Sequence, residues 1–293
     1  MHPLLSQLRD DTVRDLAWLL TAPELLQKSY AQLPIRLTSR REAWLRQLDR
    51  QPQPLHEQIG KQKRLGQYYE ALWCYFYQQD AQFDLVAHNL QVQVNGRTAG
   101  EFDFILYDHL QQRFIHQEVA IKFYLYYSPC GAAENAGSWL GPNSRDTLQK
   151  KCTHLLNKQS RLSLQPEAKA VLAEKGIDLI TPCISLKGYL FNPAGSVPQG
   201  FNRENRINPW YFLHEAEAQL TAGNFIALHK PHWINAIHHS KSQHIINKQN
   251  VLDEMQTAGT PRLFARIKQQ KDLLVETERF FIAPACWPAI TAA

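Results

Sequence analysis

Cysteine is scarce in this sequence, and its few copies never occur as close pairs. The five cysteines are Cys74, Cys130, Cys152, Cys183 and Cys286. A scattered set of odd number argues against a disulfide framework and against a zinc site built from thiolates. It favours a reducing compartment, so we expect a cytoplasmic protein.

Long apolar runs are also missing. No run approaches the ~20 residues that span a bilayer, so no membrane partner is predicted. The first residues, MHPLLSQLRDD, contain no basic stretch followed by an apolar core, and we therefore expect no signal peptide. The sequence has no P-loop, no GxGxxG after a strand and no GxSxG elbow, which leaves P-loop hydrolysis, Rossmann cofactor binding and α/β-hydrolase chemistry without support.

The bulk composition is that of a packed globular protein. Hydrophobic residues make up 44% of the 293 residues and charged residues 20%. The formal net charge of +5 permits a polyanionic partner without requiring one.

Hydrophobic periodicity predicts an α/β protein. Helical spacing occurs over 3–30, 39–50, 65–79 and from a cap at Asn143 to about 160, with weaker helical signals near 208–221 and 262–275. Strands are predicted over 85–94, 101–108 and 113–127, with one or two over 177–191 and one near 278–283. The order of helix, three strands, helix and strand predicts a mixed β-sheet flanked by helices.

The stretch GEFDFILYDHLQQRFIHQEVAIKFYL, residues 100–125, gathers charged residues on two neighbouring strands. Because side chains alternate along a strand, Glu101 and Asp103 should share one face, with Phe102 and Phe104 on the other. On the next strand one face should carry His116, Glu118, Ala120 and Lys122, with Val119, Ile121 and Phe123 opposite.

Paired strands would merge these polar faces into one acidic patch with a lysine at its edge. Asp103 and Glu118 are then candidate ligands for Mg²⁺ or Mn²⁺, which prefer oxygen donors. Lys122 can orient an attacking water or stabilise charge on a phosphate. Glu70, from the preceding helix, can add a ligand or position water. The alternative is a strand face that is solvated or paired in salt bridges.

These residues resemble a known nuclease superfamily. The string GEFDFIL, followed after a turn by a strand with Glu and Lys, is similar to the PD-(D/E)XK nucleases. The resemblance implies a restriction-endonuclease-like core in which an acid on one strand and acid–x–lysine on the next bind Mg²⁺ and cut phosphodiesters. A glutamate on the preceding helix is also implied, and Glu70 occupies that place.

The whole chain resembles the bacterial family DUF1853. The features that carry this likeness are RDLAWLL, LGQYYEALW, RTAGEFDFIL, HQEVAIKFYL, GPNSRD and KGYLF, which lie between residues 14 and 191. This second resemblance identifies a family and implies no activity.

The sequence departs from the superfamily pattern at one point. Acid and lysine are expected two residues apart, ~6.6 Å along a strand, whereas Glu118 and Lys122 are four apart, or ~13 Å. Ala120 stands two residues before the lysine. Four alternatives stay open: Glu118 reaches the metal from further along the strand, a bulge shortens the gap, Glu101 becomes the second ligand, or the site is inactive.

Further residues are candidates for supporting the site. His116 shares the face of Glu118. On the following helix, Lys151 and Gln159 lie eight residues apart and project on similar sides. In some members of the superfamily a glutamine on the corresponding helix supports the site, although a solvated helix face is the simpler interpretation of both residues.

We therefore predict a Mg²⁺-dependent nuclease acting on DNA or RNA. The alternatives are an inactive nuclease-fold module that binds nucleic acid or a protein, and a structural protein whose strand face holds only ion pairs. The predicted divisions are an N-terminal helical extension (1–54), a nuclease-like α/β core (55–195) and a C-terminal α+β extension (196–293).

Overall fold

A computed structural model of the chain describes residues 2–27, 31–129, 137–193, 201–239 and 244–288. Of the five cysteines, Cys130 lies outside these residues. Within the described ranges, no helix is both long and apolar enough to cross a membrane.

Helices surround two β-sheets. The helices are α1 (Asp11–Thr21), α2 (Ser39–Arg50), α3 (Gln53–Ile59), α4 (Leu65–Gln79), α5 (Leu148–Asn157), α6 (Pro166–Ala173), α7 (Leu213–Gln219) and α8 (Lys248–Gln256), with 3₁₀ turns at Pro3–Ser6 and Gln159–Leu164. The strands are β1 (Phe83–Val94), β2 (Arg97–Asp108), β3 (Arg113–Tyr127), β4 (Ser138–Leu140), β5 (Ile180–Phe191), β6 (Ile207–Asn208), β7 (Trp210–Phe212), β8 (Asn224–Leu228), β9 (His238–His239), β10 (Arg262–Gln270) and β11 (Leu273–Ala283).

The first sheet is mixed, as predicted. Its order is β1-β2-β3-β5-β6, and β4 adds to the end of β3. The strands β1, β2 and β3 are antiparallel neighbours, whereas β5 runs parallel to β3 from Ile180 to Phe191. The connection between these parallel strands carries α5 and α6, because parallel neighbours need a long crossover.

The central strand β3 is buried on both faces. Val119, Ile121 and Phe123 pack into the main hydrophobic cluster with α1 and α4. Ala120 and Tyr124 pack on the other face against α5. The predicted alternation of β3 is therefore confirmed, and helices cover both sides of the strand that carries the candidate residues.

The second sheet corrects part of the prediction. Its order is β7-β11-β10-β8, with β9 on β11. The predicted helix near 262–275 is wrong, because this region forms the hairpin of β10 and β11. Leu263 and Ala265 face the main cluster, whereas Phe264 faces a second one, so this strand is buried on both faces. Periodicity alone does not distinguish the resulting apolar run from a helix.

Two helix boundaries also differ from the prediction. The N-terminal helix does not extend over 3–30, since Asp10 caps a new helix by accepting from the N–H groups of Thr12 and Val13, and that helix ends at Thr21. The helix predicted from Asn143 begins at Leu148, where the Thr147 hydroxyl caps it. The predicted division at 1–54, 55–195 and 196–293 stays a prediction.

Candidate functional site

A fork between β2 and β3 lies at the centre of the candidate site. The two strands pair only through Phe104–Asp108 and Arg113–Gln117. Beyond this point Oδ2 of Asp103 accepts a hydrogen bond from the backbone N–H of Val119 at 3.0 Å. Since β4 pairs only with the last three residues of β3, the edge of β3 that faces away from β5 has no strand partner between Val119 and Tyr124 in the described part of the chain.

The fork coincides with a break in the alternation of β2. Phe102 packs with the cluster around α6, whereas Phe104 packs with the main cluster on the α4 side. The expectation that these two rings share a face is therefore wrong. Asn89 of β1 has a left-handed φ of 52°. It lies between the two residues of β1 that pair with Phe104 and Phe102. The register of β1 and β2 is unchanged across this point, so Asn89 lies opposite Asp103.

Glu118 is fully buried and held by two side chains. Its Oε1 lies 2.6 Å from Nε2 of His116, within hydrogen-bond distance, and its Oε2 accepts from Nε2 of Gln159 at 2.6 Å. The ring of His116 meets the ring of Phe102 edge to face at 4.6 Å. His116 and Gln159 thus orient Glu118, and a charge buried in this way needs such partners.

Asp103 and Glu70 experience the charge of Glu118. Burial, together with the negative charges of Glu118 and Glu70, raises the pKa of Asp103 to about 8, against the opposing effects of the Val119 hydrogen bond and the charge of Lys151. Burial and the charges of Glu101 and Glu118 likewise raise the pKa of Glu70. Three carboxyl groups are therefore close enough to oppose one another's ionisation.

Lys151 extends from α5 into the same group of residues. Its ammonium donates to Oε1 of Gln159 at 3.2 Å, and that oxygen also lies 2.9 Å from Nδ1 of His154. Burial and the charge of Lys122 lower the pKa of Lys151, whereas Asp103 and Glu118 raise it. Gln159 therefore links the lysine on α5 to the buried Glu118.

Lys122 has a different partner from the one its sequence position suggested. Its ammonium lies 2.5 Å from Oδ2 of Asp146, in a half-buried ion pair. The predicted cap residue Asn143 instead accepts from the N–H of Asp146 at 3.2 Å, and this turn places Asp146 beside β3. Asp146 was missed as a site residue, although it ends the GPNSRD motif.

Glu101 does not join Asp103 through a hydrogen bond in the described structure. It is half-buried, and its Oε2 accepts from Nε2 of Gln91 on β1 at 3.2 Å. Its charge nevertheless acts on Glu70. Glu101 thus borders the acidic group rather than forming its centre.

A cleft of about 500 Å³ follows the open edge of β3. Its lining includes Glu70, Lys122, Asp146 and Lys151, so candidates from four segments face one space. Its charged rim consists of Lys63, Arg64 and Lys230. Lys63 and Arg64 come directly before α4, and the Lys230 ammonium lies 4.7 Å from the ring centre of Trp233. No sequence pattern singles out Lys230, because it comes from a segment distant along the chain.

Asp103, Glu118 and Glu70 are the side chains that could hold a hard divalent cation, with water supplying most of the other ligands. No cluster of three or more His, Cys, Asp or Glu side chains with metal-site geometry occurs among the described residues. Mg²⁺, however, commonly takes one or two carboxylates and keeps several waters. Asp103, with Glu118 or Glu70, offers this number of ligands, and a cation would relieve the repulsion that raises the pKa of Asp103.

Comparison with known proteins gives one match. The sequence model of the family described as "Domain of unknown function (DUF1853)" matches residues 14–283. No curated protein and no solved structure matches the chain.

Proposed function

The chain belongs to the DUF1853 family, and we propose that it is a Mg²⁺-dependent nuclease with a restriction-endonuclease-like core. The observation that carries the proposal is the hydrogen bond from the Val119 N–H to Asp103. It places the Asp103 carboxylate at the opening between two strands, directly beside the residue that follows Glu118. Two acids on adjacent strands, with Glu70 on the preceding helix, are the arrangement that the superfamily resemblance implies.

The rest of the cleft supports a substrate that carries phosphate. Five cationic side chains line it, namely Lys63, Arg64, Lys122, Lys151 and Lys230, against the two carboxylates of Glu70 and Asp146. Cations that neutralise phosphates supply most of the affinity of a protein for DNA or RNA. The unpaired edge of β3 gives a nucleic-acid strand a path along the cleft, whose lining includes Val119, the residue that donates to Asp103.

The chain's own residues have separable roles in this proposal. Asp103 and Glu118 would hold the metal ion, with Glu70 as a further ligand or as the group that positions water. Bound Mg²⁺ supplies Lewis-acid stabilisation of phosphate charge and lowers the pKa of a coordinated water. His116 and Gln159 fix the orientation of Glu118, as residues that contact metal ligands commonly do.

We assign the ammonium group of the site to Lys151 rather than to Lys122. Ala120 occupies the position two residues after Glu118, where acid–x–lysine would place the lysine, and it packs in the apolar cluster beneath α5. Lys151 contacts the glutamine that binds Glu118, whereas Lys122 pairs with Asp146. Lys151 is therefore the cation that stabilises charge developing on the scissile phosphate.

A second candidate is an inactive nuclease-fold module that binds nucleic acid. One observation favours it: both carboxylate oxygens of Glu118 already accept hydrogen bonds from protein side chains. A metal ion would have to compete with these partners. The basic rim of the cleft does not depend on whether Glu118 binds a metal ion. A module without the metal ion would therefore bind DNA or RNA without cutting it.

Incubation of the full chain with Mg²⁺ or Mn²⁺ and with duplex DNA, single-stranded DNA and RNA separates the two candidates. The nuclease proposal expects metal-dependent cleavage of at least one substrate that Asp103→Asn abolishes. Cleavage that persists in Asp103→Asn would refute this site. Binding without cleavage, with no calorimetric sign of metal binding, would support the module.

A further inference from the structure

The floor of the cleft is the main chain of β3. The lining of the cleft includes five consecutive residues of that strand, Val119 to Phe123. Side chains of consecutive strand residues point to opposite faces of a sheet, so one cavity can border all five only along the backbone edge of the strand. The part of this edge without a strand partner, residues 119–124, is ~20 Å long at the usual rise of a strand.

The direction of the backbone groups along this edge is fixed by two contacts. The Val119 N–H points into the cleft side, because it donates to the carboxylate on β2. The Lys122 carbonyl points the other way, towards Gly188 of β5. Because alternate residues of a strand direct their N–H and C=O groups to the same side, those of Ile121 and Phe123 face the cleft. Among the residues that the structure describes, these four groups have no hydrogen-bond partner.

An extended peptide matches such an edge better than a nucleic acid does. The edge alternates donors and acceptors, and a second extended backbone carries both kinds of group at the same spacing. The phosphate oxygens of DNA or RNA only accept hydrogen bonds, so they would leave the carbonyl groups of Ile121 and Phe123 unpaired. The backbone of β3 therefore favours a protein segment as its partner.

The charges around the edge favour an acidic segment. Lys63 and Arg64 are exposed and come directly before α4, which packs on the face of β3 that carries Val119. Lys151 extends from α5, which covers the opposite face. In total, five cations and two carboxylates line the cleft. Acidic side chains on either face of an added strand would therefore meet a cation.

We propose that the open edge of β3 binds an acidic, extended segment of a partner protein as an added β-strand. The segment would fill the gap between β2 and β4 on this side of the sheet, since β2 pairs with β3 up to Gln117 and β4 pairs from Leu125. The proposal does not rest on nuclease activity. A bound segment would, however, keep nucleic acid out of the same cleft.

Fluorescence anisotropy of the full chain with labelled peptides, in chelator and without nucleic acid, tests the proposal. The probe is the hexapeptide EVEVEV with a fluorescein label at its N-terminus and an amide at its C-terminus. We expect it to bind. The charge-reversed peptide KVKVKV, and EVEVEV with every backbone nitrogen methylated, should each bind about tenfold more weakly or less, because one lacks the charges and the other the N–H donors.

A pair of charge-reversal variants locates the binding surface. Lys63→Glu combined with Arg64→Glu should weaken binding of EVEVEV by about tenfold or more. Lys268→Glu combined with Lys271→Glu is the matched control, because it changes the net charge equally at two exposed residues of the β10–β11 hairpin that do not line the cleft. This control should bind the peptide like the wild type.

Amide hydrogen exchange of the wild-type chain, followed by NMR, tests the geometry without any variant. Saturating EVEVEV should slow exchange of the Ile121 and Phe123 amides. The amides of Ala120 and Lys122 face β5 and should be slow from the start.

Several results would overturn the proposal. They are absence of EVEVEV binding, equal binding of either comparison peptide, equal loss in the control variant, and exchange at Ile121 and Phe123 that the peptide leaves unchanged. Slow exchange of these two amides in the free chain would show that the chain itself covers the edge. Protection that rises with protein concentration would assign the edge to a second copy, and either result would also refute a separate partner. Each readout is independent of cleavage, so this proposal and the nuclease proposal can fail separately.

Discussion

The carboxylate of Asp103 accepts a hydrogen bond from the backbone of Val119 at the point where β2 and β3 cease to pair. A side chain thus takes the place of a strand partner. The contact brings Asp103 beside Glu118, and the carboxyl groups oppose one another's ionisation. Such an arrangement is unfavourable for the folded chain alone, and carboxyl groups with pKa values perturbed in this way are typical of functional sites.

Asp103→Asn should therefore stabilise the metal-free protein while removing its activity. The amide oxygen can keep the hydrogen bond from Val119. At neutral pH a carboxyl group with a pKa of about 8 must take up a proton on folding, whereas the amide of the variant needs none. We expect a higher melting temperature than that of the wild type in chelator at neutral pH. In Mn²⁺ this difference in melting temperature should shrink or change sign, because metal binding to the native state stabilises only the wild type. Equal melting curves with and without Mn²⁺ in both proteins would argue against a metal site at Asp103.

The same substitution should show a defined pH dependence. The pKa of Asp103 is raised from its ordinary value of 3.8 to about 8 by burial and by Glu118. The unfolded chain ionises this group first, so the wild type loses stability as pH rises from about 4 to about 8. The difference in melting temperature between Asp103→Asn and the wild type, measured in chelator, should be near zero at about pH 4 and should grow as the pH rises towards about 8. A difference that shrinks with rising pH would contradict the assignment.

The two lysines of the cleft can be distinguished by substitution. Lys151→Met should reduce metal-dependent cleavage about 10²-fold to 10³-fold, as expected for loss of a group that stabilises charge in the transition state. Lys122→Met should have a smaller effect, because Lys122 is paired with Asp146. Lys150→Met is the matched control, since Lys150 is exposed on the same helix. A larger loss from Lys122→Met than from Lys151→Met would return the catalytic role to Lys122.

Local patterns were sufficient to predict the strands and helix that carry the site. The bounds of β3 and α4 match the predicted ranges 113–127 and 65–79, because both elements have strong apolar periodicity over more than a dozen residues. The shared face of His116 and Glu118 follows from simple alternation and is borne out by their hydrogen bond.

The pairing of the lysines could not be predicted in the same way. Lys122 lies on the face of Glu118, yet its partner Asp146 arrives through a turn set by Asn143. Lys151 is linked to Glu118 through Gln159, which begins the 3₁₀ turn after α5 and donates to the Glu118 carboxyl group. The contacts of β3 with Asp146 and with Gln159 join segments distant along the chain, and the alternation rule carries no information about such tertiary contacts.

The approach of β5 to β3 depends on a glycine beside Lys122. Gly188 has a φ of +147°, and a Cβ there would lie 1.7 Å from the Lys122 carbonyl oxygen. Gly188→Ala should therefore force the two central strands apart. It should lower the free energy of unfolding, measured by urea denaturation, by about 1–3 kcal/mol or more, an amount typical of overpacking. Gly66→Ala, where a Cβ meets nothing within 4 Å, should be neutral or slightly stabilising. Similar losses in both variants would contradict this account of Gly188.

The basic rim should govern how strongly nucleic acid binding depends on salt. Lys63, Arg64 and Lys230 line the cleft without belonging to the acidic group. Removing one contact between a cationic side chain and a phosphate should reduce the magnitude of the slope of log affinity against log salt by about 1. Alanine at Lys63 and at Arg64 should therefore flatten the slope stepwise, measured by fluorescence anisotropy with labelled DNA or RNA in chelator, where cleavage cannot interfere. Alanine at Lys271, which lies in the turn between β10 and β11 and does not line the cleft, is the control and should leave the slope unchanged. If the rim variants keep the wild-type slope while binding persists, the nucleic acid follows another surface, and the cleft along β3 is not its path.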